Sequence, residues 1–148
     1  MTEDRVPALG LARYAREFYD AAIAVDDTIG MRPAYRFIAP IPVQHLVAHS
    51  IELILKAYIR GQEASEQDVR DLGHDLETCW SKARDMGVEE YILLSETELD
   101  TLRLISQLHW STELRYIKTG FKQFPSFGNL QNLCTKLLDA ICPLLGFK

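Results

Sequence analysis

Apolar side chains recur at intervals of three and four residues along most of this chain, which is the spacing of one face of an α-helix. The pattern predicts five helices, over residues 8–28, 43–60, 74–86, 96–117 and 129–141. The only strand candidate, residues 91–94, is too short to form a sheet alone. Because short connections favour antiparallel neighbours, we predict a single all-α domain over residues 1–148, an up-down antiparallel bundle of about five helices.

The segments between these helices have compositions typical of turns and loops. Residues 31–42 contain three prolines and are predicted to form an extended connector. Residues 62–73 are polar and acidic, which suits a loop or a short exposed helix. Pro143 is expected to end the last helix or to bend its final turn.

Two helix starts carry residues suited to capping. His74 or Asp75 is expected to cap the third helix, where a side-chain oxygen accepts from free backbone N–H groups. Ser95 and Glu98 have the spacing of a capping box, in which each side chain satisfies a backbone N–H of the first turn. The fourth helix is therefore predicted to begin directly after Ser95.

Composition supports one globular domain with a substantial core. The chain has 148 residues, of which 47% are hydrophobic and 25% charged, and this balance excludes a disordered chain. No apolar run approaches the roughly 18 residues needed to span a bilayer, so we expect no membrane partner. The three cysteines form no CxxC pair, and the N-terminal residues lack the apolar stretch of a secretory signal. We expect buried, reduced thiols in a cytoplasmic protein.

Charge is distributed unevenly, which limits where nucleic acid could bind. The net charge is −5, so the protein does not attract nucleic acid by its overall charge. Residues 101–136 nevertheless carry five basic and one acidic side chains. If the protein binds RNA, the contacts are predicted at Arg115, Tyr116, Lys118 and Lys122. A solvated basic face is the more frequent explanation of such a segment.

The second predicted helix contains a line of polar residues, a polar seam formed by His45, His49, Glu52 and Lys56. Their spacing places all four within about 60° around the helix axis. A Glu52–Lys56 ion pair at i,i+4 would close this seam and favours a purely structural role. Alternatively, His45, His49 and Glu52 could bind zinc or iron. A bundle metal site draws ligands from facing helices, however, and no other helix offers a second ligand pair at helical spacing.

The fourth predicted helix contains residue types suited to acid–base chemistry on phosphate. His109 is suited to proton transfer near neutral pH, and Arg103 to binding a phosphate. Glu113, one turn beyond His109, could orient its ring. Arg103 and His109 are about 120° apart around the helix, so they could meet at one substrate only in a groove or across a dimer.

The segment over residues 43–120 resembles HEPN domains, a loose family that pairs an E-x-x-LKA helix with a later HDL helix. The matching residues are Glu52, Leu55, Lys56 and Ala57, followed by His74, Asp75 and Leu76. The stretch LRYIKTG over residues 114–120 resembles the segment that closes such bundles. The resemblance implies an all-α bundle that is commonly dimeric, found in toxin–antitoxin or defence systems.

The same resemblance implies a catalytic signature. Many family members are metal-independent ribonucleases with an Arg, four to six intervening residues and a His. Arg103 and His109, with five residues between them, match that spacing. Active members usually have a polar residue directly after the Arg, whereas this chain has Leu104.

These observations favour a non-catalytic HEPN-like interaction or binding module, a homodimer with a protein or RNA partner and without a cofactor. The alternative is a metal-independent ribonuclease in which Arg103 and His109 from two copies flank an RNA phosphate at a dimer cleft. A second alternative is a metal-binding helical bundle that uses the histidines of the polar seam. The sequence leaves all three open.

Overall fold

The computed structural model describes residues 7–115 and 123–147, and these ranges are helical with no strand. Six α-helices are present: α1 (Ala8–Asp26), α2 (Ile41–Gly61), α3 (Glu66–Asp71), α4 (Leu76–Asp85), α5 (Glu96–Trp110) and α6 (Phe127–Ile141). The all-α prediction is therefore confirmed. The described residues form six α-helices, whereas about five were predicted, because the acidic segment after α2 forms the short helix α3. No described helix is long and apolar enough to cross a membrane.

Helix α2 is the centre of the bundle and contacts each of the other five α-helices. Ile51, Ile54 and Ile59 are fully buried although they point in different directions from the helix axis. A helix with apolar residues on most of its circumference is stable in water only when other helices cover most of that circumference. In the polar seam of α2, Glu52 and Lys56 are therefore buried, and His45 and His49 are half-buried.

Helices α1 and α2 form the most extensive helix pair of the molecule. Ala12, Ala15 and Ala22 of α1 are fully buried, and such small side chains let two helix backbones approach closely. The Ser50 hydroxyl donates to the Ala15 carbonyl oxygen over 2.6 Å. Tyr14, which the apolar pattern placed inward, is 61% exposed, because the buried face is centred on the alanines.

The proline-rich connector differs from its prediction. The connector was predicted to be extended. Instead, it contains two short 3₁₀ turns, at Ile29–Met31 and Pro33–Tyr35. Proline at the start of a turn loses no hydrogen bond, and its fixed φ suits a 3₁₀ turn. Helix α2 begins directly after Pro40.

Both predicted capping sites are confirmed. Asp75 caps α4, accepting from the backbone N–H groups of Glu77 and Thr78. Ser95 and Glu98 form both hydrogen bonds of the capping box at the start of α5.

Helix α5 ends seven residues earlier than predicted, at Trp110. Thr112 has a φ of 66°, and this left-handed conformation cannot continue an α-helix. Residues 91–94, the strand candidate, form no ladder and follow a 3₁₀ turn at Val88–Glu90. Pro143 lies just beyond α6, in a 3₁₀ turn at Cys142–Leu145, as its position predicted. All three cysteines are free and buried.

Candidate functional site

All four histidines of the chain lie together around the buried carboxylate of Glu52. His45 and His49 come from α2, His74 from the turn before α4, and His109 from the last turn of α5. The His109 ring is central, with ring-centroid distances of 5.9 Å to His45, 6.0 Å to His74 and 6.4 Å to His49. We call these four residues with Glu52 the histidine cluster.

Glu52 is 3% exposed and accepts hydrogen bonds from three side chains. Its Oε1 atom lies 2.7 Å from His109 Nε2 and 3.0 Å from His74 Nδ1, and Lys56 Nζ donates to Oε2 over 2.9 Å. Burial acts to raise the pKa of Glu52, but the hydrogen bonds from His109 and Lys56 outweigh it and lower the pKa well below its usual range. The carboxylate is therefore ionised at neutral pH.

Lys56 joins this carboxylate to the turn that presents His74. Its Nζ also donates to the Gly73 carbonyl oxygen over 2.6 Å. Gly73 has a φ of +63°, a conformation that L-residues with side chains rarely adopt. This turn places His74 beside Glu52.

A second set of hydrogen bonds joins the start of α4 to α5. The Ser106 hydroxyl donates to Asp75 Oδ1 over 3.1 Å and accepts from the Leu76 backbone N–H over 3.0 Å. These contacts fix the turn that carries His74 relative to the helix that carries His109. Two helices and one turn thus hold the cluster rigidly.

The hydrogen bonds to Glu52 determine which nitrogens of the rings are free. An ionised carboxylate only accepts, so His109 donates to it from Nε2, and Nδ1 is the ring nitrogen left for another partner. His109 Nδ1 and His45 Nδ1 are both buried with no hydrogen-bond partner among the described residues. Buried nitrogens without partners are rare in folded proteins and commonly indicate a water or an ion. The cluster thus has two buried ring nitrogens that no described residue contacts by a hydrogen bond.

Burial also keeps two of the rings neutral. It lowers the pKa of His45, with repulsion from His109 and Arg115 acting in the same direction. It lowers the pKa of His49 as well, although the negative charge of Glu52 acts against it. A neutral imidazole has one ring nitrogen with a free lone pair, which can bind a metal ion or accept a proton.

The cluster lines a cavity of about 250 Å³ at the protein surface. Its walls are Phe18, His45, His49, His74, His109 and Arg115. The Phe18 ring meets the His49 ring edge-on, with the centroids 4.6 Å apart. The histidines are therefore open on one side to a small molecule.

Three members of the cluster have the arrangement of a metal site. One potential ligand atom each from His49, Glu52 and His109 lies within 4.8 Å of the other two. Two imidazole nitrogens and a carboxylate oxygen form a donor set typical of zinc and non-haem iron. The predicted metal set was His45, His49 and Glu52; in the structure, His109 from α5 supplies the ligand from a facing helix.

The polar seam of α2 forms the Glu52–Lys56 ion pair that its spacing predicted. The pair is buried, and the seam is extended by His74 and His109 from other parts of the chain. Sequence reasoning assigned His74 to capping and His109 to a separate catalytic site. No spacing rule connects residues so far apart along the chain, so the sequence contained no signal for their meeting in one cluster.

Arg103 and Glu113 do not join His109 within one copy of the chain. The Arg103 side chain is half exposed and lies 3.7 Å from the Asp100 carboxylate, whereas His109 is 4% exposed and faces Glu52. Glu113 accepts from the Ser111 hydroxyl over 2.9 Å. The ring of His109 is thus oriented by Glu52 and not by Glu113 as predicted, because Glu52 lies across the bundle on the buried side of α5.

Of the four predicted RNA-binding residues, the structure describes one. Arg115 is exposed and lies in the wall of the cavity beside the histidines. Tyr116, Lys118 and Lys122 lie outside the described residues.

No protein-family model, curated protein or solved structure matches this chain. The resemblance to HEPN domains therefore stays a prediction, and the site is interpreted from its own geometry.

Proposed function

We propose that this protein binds a transition-metal ion of the zinc or iron class through His49, Glu52 and His109. The observation behind the proposal is the convergence of their ligand atoms, within 4.8 Å of one another, from two packed helices. Ligand atoms that share one zinc ion lie roughly 3 to 3.5 Å apart. Small side-chain rotations would bring these three to that separation.

The surroundings of the three residues favour a cation over a purely structural network. Lys56 occupies Oε2 of Glu52, which leaves Oε1 directed toward the histidines. Hydrogen-bonded partners of this kind orient metal-binding carboxylates in known sites. The His45 and His109 rings lie 5.9 Å apart between centroids, and the Nδ1 atom of each is buried without a hydrogen-bond partner among the described residues. An ion bound by His49, Glu52 and His109 would give the His109 ring a partner beyond Glu52.

The test is metal content of untagged, full-length protein. After incubation with Zn²⁺ or Co²⁺ and removal of excess metal, we expect about one ion per chain by elemental analysis. Co²⁺ should give the visible absorption bands of a low-symmetry site with nitrogen and oxygen ligands. Bound metal should also raise the Tm, since a ligand that binds only the folded state stabilises it.

Two variants locate the site. His49→Ala, at a half-buried position, should fold by circular dichroism and lose the ion. Asp100→Ala is the control, because its carboxylate is a possible metal ligand that is exposed and lies outside the histidine cluster, and it should keep the ion. A folded wild-type protein that binds no stoichiometric metal, or a His49→Ala variant that binds it normally, would contradict the proposal.

A second candidate function is the non-catalytic interaction module, favoured by one surface. The segment around the two 3₁₀ turns exposes large apolar side chains, with Phe37 at 87% and Met31 at 75% exposure. Contiguous exposed apolar residues are typical of surfaces that bind another protein. Self-association through this segment is compatible with metal binding, because the segment contributes no residue to the histidine cluster.

The ribonuclease alternative has less support from the geometry. It requires Arg103 and His109 at one phosphate, and these side chains lie on different sides of α5. His109 is 4% exposed, so a polymer phosphate could reach it only through the cavity.

A further inference from the structure

We infer that the cavity beside the histidine cluster binds the phosphoryl group of a small phosphate ester, and that the adjoining groove takes the apolar substituent of that ester. Arg115 is the anion-binding residue, and Tyr14 and Phe18 contact the substituent. The inference rests on the proposed metal ion for the second positive charge of the site.

No carboxylate among residues 7–115 and 123–147 forms an ion pair with Arg115. Its side chain is exposed in the cavity wall and makes no hydrogen bond or ion pair with another described residue. It lies close enough to His45 that its charge disfavours protonation of that ring. A guanidinium presents paired N–H donors whose geometry matches phosphate oxygens. The residue is thus available to an anion that enters the cavity.

The charge balance of the site favours a dianion. Glu52 is neutralised by Lys56 at 2.9 Å, and so neither contributes net charge. Among the described residues that line the cavity, Arg115 then supplies a positive charge, in a chain whose net charge is −5. A divalent ion at the cluster adds two further positive charges. A phosphate monoester, with two negative charges and three terminal oxygens, can face both the ion and Arg115, whereas a carboxylate has one charge and two oxygens.

An apolar groove continues from the cavity. It has a volume of about 330 Å³ and is lined by Tyr14, Glu17, Phe18, Ala21 and Leu46. Phe18 lines both the groove and the cavity beside the histidine cluster, so the groove and the cavity are neighbours. The aromatic rings suit a flat apolar group. Glu17 repels an anion from the groove, which orients such a ligand with its phosphoryl group toward Arg115.

The experiment measures ligand binding by calorimetry to metal-loaded, full-length protein. The probes are phenyl phosphate, inorganic phosphate and benzoate. We expect phenyl phosphate to bind most tightly, inorganic phosphate more weakly because it leaves the groove empty, and benzoate weakest because of its single charge. Equal affinity for benzoate and phenyl phosphate would overturn the assignment to a phosphoryl group.

Variants separate the two halves of the site. Arg115→Gln should weaken phenyl phosphate binding by about tenfold or more, the effect of losing a charged hydrogen-bond donor. Tyr14→Ser, at an exposed position, should weaken phenyl phosphate and leave inorganic phosphate unchanged. Arg84→Gln is the matched control, because Arg84 is an exposed arginine paired with Glu89, and it should bind like the wild type.

Metal content is measured on the same samples. If Arg115→Gln keeps one ion per chain and still binds phenyl phosphate normally, the phosphoryl site is wrong and the metal site stands. If the wild-type protein retains no ion, the proposed metal site fails, and the inference that rests on it fails with it. Metal-loaded wild-type protein that binds none of the three probes overturns the phosphoryl site alone.

Discussion

At the scale of single residues, Glu52 organises the polar interior. Its carboxylate is enclosed by apolar helices, yet it stays ionised because Lys56, His74 and His109 all donate to it. An unpaired charge in such a place would cost far more than a surface ion pair contributes. The site therefore depends on all three donors being present.

We predict that Glu52→Gln lowers the free energy of unfolding by about 3 kcal/mol, since it leaves the buried ammonium of Lys56 without a counter-charge. Urea denaturation at neutral pH measures this change. Glu66→Gln, which removes an exposed ion pair with Arg70, is the control and should change stability by about 0.5 kcal/mol or less.

The double variant Glu52→Gln/Lys56→Met tests the cause of that loss. Removing both charges should recover part of the stability, because no isolated buried charge remains. A double variant that is less stable than Glu52→Gln by the full effect of Lys56→Met alone would show that the two side chains do not act as a pair.

At the scale of elements, the start of α5 is held by more than its capping box. Lys136 of α6 donates to the Leu93 carbonyl oxygen over 2.6 Å and to Glu98 Oε1 over 2.7 Å. The same Glu98 oxygen accepts from the Ser95 backbone N–H. One carboxylate therefore caps α5 and joins it to α6.

This arrangement predicts a pH-dependent contribution of Glu98 to stability. Burial acts to raise its pKa, but the hydrogen bonds from Lys136 and the Ser95 backbone lower it overall. Because the folded-state pKa lies below the unfolded-state value, the stabilisation is present above the unfolded-state pKa and is lost as pH falls through the folded-state pKa. The unfolding free energies of wild type and Glu98→Gln should therefore differ most near neutral pH and converge in acid.

Glutamine at this position retains the capping hydrogen bond, so the comparison isolates the charge. Glu96→Gln, at an exposed position in the same first turn, is the control that removes a charge there and leaves the contact of Glu98 with Lys136 in place. A difference between wild type and Glu98→Gln that is constant from about pH 3 to pH 7 would contradict the assignment.

At the scale of the whole molecule, apolar exposure is concentrated in one segment. Within the 13 residues from 29 to 41, five large apolar side chains are at least one-third exposed: Ile29, Met31, Phe37, Ile38 and Ile41. The proline-rich composition prevents this segment from folding its apolar residues into a helix face of the bundle. A second copy of the chain is the occupant implied by the predicted homodimer.

We therefore predict a dimer in solution that Phe37→Glu converts to a monomer, because a charge in the centre of an apolar contact is costly to desolvate. Light scattering after size-exclusion chromatography measures the mass. Leu93→Glu is the control, since Leu93 is 67% exposed and lies outside this segment. A monomeric wild type, or a Phe37→Glu variant that stays dimeric, would show that this surface does not mediate self-association.

The helices and their caps could be predicted because their signals are local. The capping box at Ser95 and the turn at Gly73 are each encoded within a few residues. The end of α5 could not be predicted, because the apolar pattern continues past Trp110 while the backbone at Thr112 turns left-handed. The connector before α2 was predicted as extended because proline count alone does not distinguish 3₁₀ turns from extended chain.

The sequence by itself determined that the chain is helical, where most helices lie, and that His45, His49, Glu52 and Lys56 share one face of α2. How the helices pack determines that Glu52 and Lys56 on this face are buried and that His74 and His109 meet the face there. Helical periodicity places residues relative to one helix axis, whereas the histidine cluster depends on how α2, α4 and α5 pack. That packing brings four histidines that are far apart along the chain to one candidate metal centre. It also directs His109 toward Glu52 and away from Arg103.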